Sequence, residues 1–148
     1  MAFTEDLRAE VVMDATPEEV WGSLMAFAAY PDWNPFVVAI EGEATVGAKL
    51  RVRLQPPGGK GSTFRPTVII CEPGRVFSWL GRVVVNGIFD GAHRFELTPA
   101  GDGRTRFVQS EHFRGLLVPL FRRSLRTHTL AGFEAMNRAL ADRVKASA

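Results

Sequence analysis

Residues Gly87 to Arg114 read GIFDGAHRFELTPAGDGRTRFVQSEHFR, two stretches of strict alternation about a Gly-Asp-Gly turn. Period-2 patterning on both sides of a turn predicts an antiparallel strand pair, and this feature narrows the fold more than any other. Phe89, Gly91, His93, Phe95 and Leu97 share one face of the first strand, and Thr105, Phe107, Gln109, Glu111 and Phe113 share one face of the second. A strand buries the face that carries its aromatics. His93, Gln109 and Glu111 therefore go inward with it, where each polar group needs a partner or water. With the turn centred near Gly101, Phe95 faces Phe107, His93 faces Gln109 and Gly91 faces Glu111. Glu111 is then diagonal to His93, at roughly 7–8 Å between backbones. A slip of two residues preserves the pattern. An inward His/Gln/Glu cluster in an apolar wall points to a pocket rather than a solid core.

The rest of the chain supplies layers around this hairpin. Arg8 to Ala15 predicts a first strand. Thr16-Pro17-Glu18-Glu19 then predicts a helix start, with Thr16 as N-cap, Pro17 in the first turn and Glu19 in the capping-box position. Val20, Leu24 and Phe27 form the buried stripe of this short helix, which fails at Tyr30-Pro31. Tyr30 to Phe36 contains two prolines and fixes a compact turn around Trp33, either a plug at the core's end or a pocket rim. Strands are predicted over Val37 to Ala44, Lys49 to Gln55, Thr63 to Glu72 and Arg75 to Val85, the last carrying Trp79.

From about Pro119 to Ala146 the sequence has no further proline and a single glycine, and predicts one long helix. Projected at about 100° per residue, Thr129, Leu130, Phe133, Met136, Asn137, Leu140 and Val144 fall in one arc. Arg126 projects into the middle of that arc and Arg122 close to it. Either both snorkel beyond the sheet edge, or Arg126 anchors an anionic head group or partners Glu111. The order is a strand, short helices, about six antiparallel strands and a long helix. The expected class is α+β, a curved antiparallel sheet with the last helix across its concave face. A helix held against such a sheet by its ends leaves a cavity between them.

Composition removes several classes. The 148 residues form one expected domain, 1–148, with a formal net charge of +2 and no basic stripe interleaved with aromatics, so nucleic acid is not an expected partner. The N-terminus lacks the apolar run of a signal peptide, and no run is long enough for a transmembrane segment. Cys71 is the single cysteine, which excludes an internal disulfide and reads as buried filler. Pro56 to Gly61 lacks the residue order of a phosphate loop. The expected setting is cytoplasmic.

Four stretches occur in order: Thr16-Pro-Glu-Glu-Val-Trp21, Trp33-Asn-Pro-Phe36, Phe89-Asp-Gly-Ala-His-Arg-Phe-Glu-Leu97 and Gly132-Phe-Glu-Ala-Met-Asn137. Together they resemble the START-like (SRPBCC) superfamily, particularly its polyketide cyclase/dehydrase-like branch, over about Leu7 to Val144. The resemblance implies a helix-grip fold with a deep apolar cavity between sheet and C-terminal helix. Its members include lipid and hormone binders, polyketide cyclases, hydroxylating-dioxygenase domains and accessory proteins, so fold alone does not fix function. A dioxygenase would need a His/His/carboxylate iron site. His112 points outward and His128 sits at the edge of the helix arc, so His93 lacks companions and neither metal nor cofactor is expected.

Three functions stay open. The favoured one is binding of a small hydrophobic ligand, lipid, aromatic or polyketide-like. Phe89, Phe95, Phe107, Phe133, Met136 and Leu140 would line the cavity, joined by Trp33, Trp79 and Arg126, while His93, Gln109, Glu111 and Asn137 orient polar atoms. The alternative is a cyclase, dehydrase or isomerase using His93 and Glu111 as an acid/base pair, against a purely structural network of the same residues. The third is an accessory interaction module. A homodimer stays open as well.

Overall fold

The computed structural model describes residues 3–82 and 87–147. The last part of the strand expected over Arg75 to Val85, from residue 83 on, lies outside the described residues. Five antiparallel strands form one sheet in the order β1-β8-β7-β6-β5, and β2-β3-β4 form a second. These strands are β1 (Thr4–Met13), β2 (Val37–Glu41), β3 (Arg51–Leu54), β4 (Ser62–Phe64), β5 (Thr67–Glu72), β6 (Val76–Arg82), β7 (Asp90–Gly101) and β8 (Arg104–Arg114). Pro66 splits the single strand expected over Thr63 to Glu72, because it offers no N–H to a ladder. The two sheets meet there. Leu50 N–H donates to Pro66 C=O at 2.8 Å, Val68 N–H donates to Ala48 C=O at 2.9 Å, and Lys49 bridges Thr67.

The hairpin turn corrects the expected register. Its tip is Asp102-Gly103, at φ 55° and 72°, with Gly101 paired to Arg104. Two successive left-handed residues form the two-residue turn whose twist suits a hairpin. Moving the centre from Gly101 to this tip shifts the pairing by two. Leu97 now faces Phe107, Phe95 faces Gln109, His93 faces Glu111 and Gly91 faces Phe113.

Helix α1 (Pro17–Met25) begins as expected. Glu19 N–H donates to Thr16 Oγ1 at 3.2 Å, and Thr16 N–H donates to Glu19 Oε1 at 3.1 Å. It ends earlier than expected, at Met25. After a 3-10 turn, Tyr30–Trp33 make a short helix of their own, α2, since Pro31 in a first turn forfeits no hydrogen bond. Buried Tyr30 donates its hydroxyl to Leu24 C=O at 2.6 Å, and burial pushes its phenol pKa up.

The C-terminal helix is continuous but not uniform. Helix α3 (Val118–Ser124) passes through a π turn (Leu125–Thr129) into α4 (Leu130–Ser147). A π turn holds an extra residue and so rotates everything before it by roughly 100° relative to an unbroken helix. Leu125, rather than Arg126, takes the inward position and is buried. Phe133, Met136, Asn137, Leu140 and Val144 face inward as predicted, and the chain is α+β with a curved sheet gripping its last helix.

Candidate functional site

The alternation that buries Phe95 and Phe107 also buries His93 on β7, with Glu111 directly opposite on β8. His93 Nδ1 lies 2.9 Å from Glu111 Oε1, and His93 Nε2 lies 2.9 Å from Gln109 Oε1. Gln109 Nε2 donates to Asn137 Oδ1 at 2.8 Å and to the Phe133 carbonyl at 3.4 Å. His93, Gln109 and Asn137 are 2%, 0% and 3% exposed. The imidazole stacks on Trp79 at 4.9 Å and 20° and meets the Phe133 ring edge-on at 5.0 Å.

The amide orientation adopted orders donors and acceptors along this chain. A backbone carbonyl only accepts, so the Phe133 carbonyl sets the Gln109 amide with its NH₂ toward α4 and its oxygen toward His93. An amide oxygen only accepts, so His93 Nε2 carries a hydrogen. Nδ1 faces Glu111 Oε1 at 2.9 Å, a line along which one proton can pass between imidazole and carboxyl. At the inner end the Asn137 NH₂ finds no acceptor among the described residues. The chain stops there.

Its outer end is different. The Glu111 side chain keeps 13% exposure, and no hydrogen bond to its Oε2 is found among the described residues. Two paired glycines, Gly81 and Gly91, clear a strip of sheet beside it. A Cβ at Gly91 would collide with Glu111 Oε2 and reach the Phe113 ring, and one at Gly81 would press on the Phe64 ring at 3.2 Å. The Glu111 carboxyl and the Phe64 ring thus overlie neighbouring side-chain-free positions. Phe89, half-buried, meets Phe113 edge-on at 5.8 Å. A carboxyl with one oxygen anchored and one free, beside aromatic rings, can bind a hydroxyl or carbonyl of a flat apolar molecule.

Several expected lining residues take other places. An internal void wide enough for water would leave accessible surface on its walls, yet Phe95, Phe107, Phe133, Met136 and Leu140 retain none. These five are close-packed core, not cavity lining: Phe133 meets Phe36 edge-on at 5.6 Å, and Phe36 lies where a Gly132 side chain would otherwise project. Trp79 backs the imidazole. Trp33 packs on Tyr30 with the Arg143 guanidinium 6.0 Å over its ring. Two surface grooves border other parts of the fold, the larger of them touching Glu111 from the outer side of the sheet. One of about 370 Å³ runs over the outer face of the sheet past Arg8, Ile69, Arg94 and His112, and one of about 280 Å³ lies between α1 and α4.

Arg126 and Arg122 both pair with Glu5 of β1, so the partnership of Arg126 with Glu111 is corrected. Arg126 grips Glu5 with two bonds, at 2.6 and 3.0 Å, and Arg122 adds one at 3.0 Å and another to the Thr4 carbonyl. The Arg126 hydrogen bond is the main cause holding the Glu5 carboxyl below its ordinary value of 4.5, with burial opposing it. A depressed carboxyl contributes stability that is full above its ordinary pKa and lost as pH falls through the folded value. Thermal melts of Glu5→Gln should therefore lie below wild type at neutral pH, with the gap closing in acid below pH 4.5. A gap constant with pH would contradict the staple.

His112 bonds Asp6 at 2.6 Å on the outer face, and His128 Nδ1 donates to the Pro57 carbonyl at 3.0 Å. Among the described residues no cluster of three His, Cys, Asp or Glu is placed to hold a metal. Cys71 is half-buried, and burial pushes its thiol pKa up. The sequence missed Gly91 as the residue that makes room for the carboxyl, although a glycine on an inner strand face is a sign of close approach. It also missed Phe64 and Glu5, for which no local pattern gives notice.

A family model described as polyketide cyclase/dehydrase and lipid transport matches residues 4–148. Solved structures share the fold at low identity. The Zhui aromatase/cyclase from Streptomyces sp. R1128 is 16% identical, with 96% of this chain and 94% of that one covered at a TM-score of 0.78. Norcoclaurine synthase from Thalictrum flavum, in complex with dopamine and hydroxybenzaldehyde, is 14% identical, with 98% and 88% covered at 0.74. A START superfamily protein from Mycobacterium smegmatis is 21% identical, with 97% and 99% covered at 0.72. At such identities the likeness is one of fold. No curated protein matches the sequence.

Proposed function

The chain belongs to the polyketide cyclase/dehydrase and lipid transport family, and on that premise we propose that it binds a small, flat hydrophobic molecule against the free edge of Glu111. One observation carries this. The polar chain from buried Asn137 to Glu111 ends outward in a carboxyl oxygen that has no partner among the described residues and lies beside aromatic rings. Phe64, Phe89 and Phe113 supply apolar contact, and Glu111 fixes the position of one ligand oxygen. Aromatic and polyketide-like compounds that carry a ketone or phenol fit this description. Membership of the family supports the reading without naming the ligand.

A second reading has its own support, the 2.9 Å contact of His93 Nδ1 with Glu111 Oε1, along which one proton can pass. With that proton on His93, the Glu111 carboxylate is a base toward an acidic C–H beside a ketone. With the proton on Glu111, the same group is an acid toward the enolate oxygen. His93 touches no ligand in this arrangement. It holds Glu111 in place and takes up the charge change, as the buried partner of a base does.

Two measurements separate binding from turnover. Titration with 2-naphthol, read by tryptophan fluorescence, should show Glu111→Gln weakening affinity about tenfold, the worth of one hydrogen bond to a charged group. Equal binding of 2-naphthol by both proteins would reject Glu111 as the recognition point. For turnover, 2-tetralone incubated in D₂O should exchange its α-protons faster with wild type than with Glu111→Gln. Exchange no faster than in buffer would remove the acid/base reading and leave binding.

A further inference from the structure

We propose that the corner where β1, the end of β8 and α3 meet is a docking surface for an anionic lipid bilayer. Eight large apolar residues are exposed among the described ones, and five of them gather here: Phe3 (44%), Leu116 (63%), Leu117 (36%), Leu120 (74%) and Phe121 (41%). Single exposed apolar side chains are ordinary, but five at one corner form a patch of the kind that meets a partner or a membrane.

The backbone beneath the patch is pinned. Gly115 N–H donates to the Phe3 carbonyl at 3.0 Å, Leu116 N–H to Gly87 at 3.1 Å and Leu117 N–H to Ile88 at 3.1 Å. Gly115 holds φ 142°, and a side chain there would strike the Ile88 carbonyl. Val118 and Leu125 turn inward and are buried, so α3 already has its core contacts. Leu116 and Leu120, at 63% and 74%, are the most exposed of the patch.

Charge identifies the occupant. From His112 to Phe133 the chain has no aspartate or glutamate, yet it has Arg114, Arg122, Arg123 and Arg126. The nearby Glu5 carboxylate is 10% exposed and is taken up by Arg122 and Arg126, and buried Asp90 lies across the ladder from Arg114, so arginines outnumber carboxylates at the corner. Apolar side chains projecting from a basic rim suit the interface of a bilayer with anionic head groups. Two copies related by a two-fold axis would instead bring their arginines together, a like-charge contact that disfavours self-association.

The corner is continuous with the apolar end of the candidate site. Phe121 meets Phe89 at 5.4 Å, Phe89 meets Phe113 at 5.8 Å, and Phe113 lies against the Gly91 position beside Glu111. A docked molecule would present this aromatic path to a bilayer-dissolved compound. The docking surface does not depend on Glu111 binding that compound, so it can fail or stand separately from the function proposed above.

Co-sedimentation of the full chain with vesicles tests it. Wild type should pellet with vesicles of phosphatidylcholine mixed with phosphatidylglycerol, should be released by salt, and should stay in solution with phosphatidylcholine alone. Leu120→Asp removes an exposed apolar anchor and should reduce partitioning about tenfold, and Arg123→Glu should reduce it about twentyfold by reversing one charge. Both positions are exposed, and circular dichroism melts matching wild type would confirm that each variant is folded. The proposal is overturned if wild type ignores anionic vesicles, if it binds both vesicle types equally, or if soluble polyglutamate binds as well as vesicles do. It is also overturned if sedimentation shows a dimer that Leu120→Asp dissociates.

Discussion

Gln109→Leu should lower the stability of the fold by about 2–6 kcal/mol, read from urea denaturation, although leucine nearly matches the volume removed. The loss comes from what the change leaves behind. His93 Nε2–H and Asn137 Oδ1 both lose their partner inside a wall where their residues are almost wholly buried, and each stranded group costs about 1–3 kcal/mol. The double variant Gln109→Leu/Asn137→Leu removes one of the stranded groups with its partner. It should recover part of the loss, giving a coupling of about 1–2 kcal/mol in a double-mutant cycle. Additive losses would mean that Gln109 and Asn137 are not linked. The same variant should leave Glu111 in place, so its effect on 2-naphthol binding should be small beside its effect on stability.

The second large effect is expected at Gly91. One methyl group there overlaps Glu111 Oε2, and Phe113 also stands in the way. The flexible carboxyl yields and swings away from His93, so Gly91→Ala should abolish recognition at the site while every ionisable residue is still present. If the second reading holds, α-proton exchange of 2-tetralone should fall by about 10²–10³, the usual worth of a positioned acid/base group. Stability should fall by about 1–3 kcal/mol from overpacking and the lost His93 contact. Alanine at the outward-facing Ala92 position beside it is native, so backbone propensity is not the cause. Full exchange by Gly91→Ala would show that the carboxyl is not held where the paired glycines leave room for it.

The fold was largely legible because its patterns are local. Alternation over β7 and β8 reported which face goes inward, and Thr16-Pro17-Glu18-Glu19 carried its own helix start. Sequence and structure part where the outcome rests on geometry that residue order does not encode. Gly101, Asp102 and Gly103 all accept left-handed backbone, so sequence allowed two turn centres, and the one adopted places His93 opposite Glu111 rather than Gln109. A constant angle per residue cannot register the π turn at Leu125–Thr129, so Arg126 projects inward from sequence and outward in the fold. The inward set Phe95, Phe107, Phe133, Met136 and Leu140 is legible as a set. Whether it encloses space or fills it depends on how closely α4 settles on the sheet, and Phe36 over Gly132 closes that distance. Contacts such as Glu5 with Arg122 join residues more than a hundred positions apart, and no local pattern announces them.

The most direct test of the account is the proton arrangement at His93, observed by imidazole ¹⁵N NMR on the full chain, with and without 2-naphthol. Gln109, held by the Phe133 carbonyl, requires a protonated Nε2 that does not respond to the ligand. Nδ1, which faces Glu111 Oε1, should shift when the ligand takes the free edge of the carboxyl. A bare Nε2, or a bound ligand that leaves Nδ1 unmoved, would contradict a polar chain that opens to its ligand through Glu111.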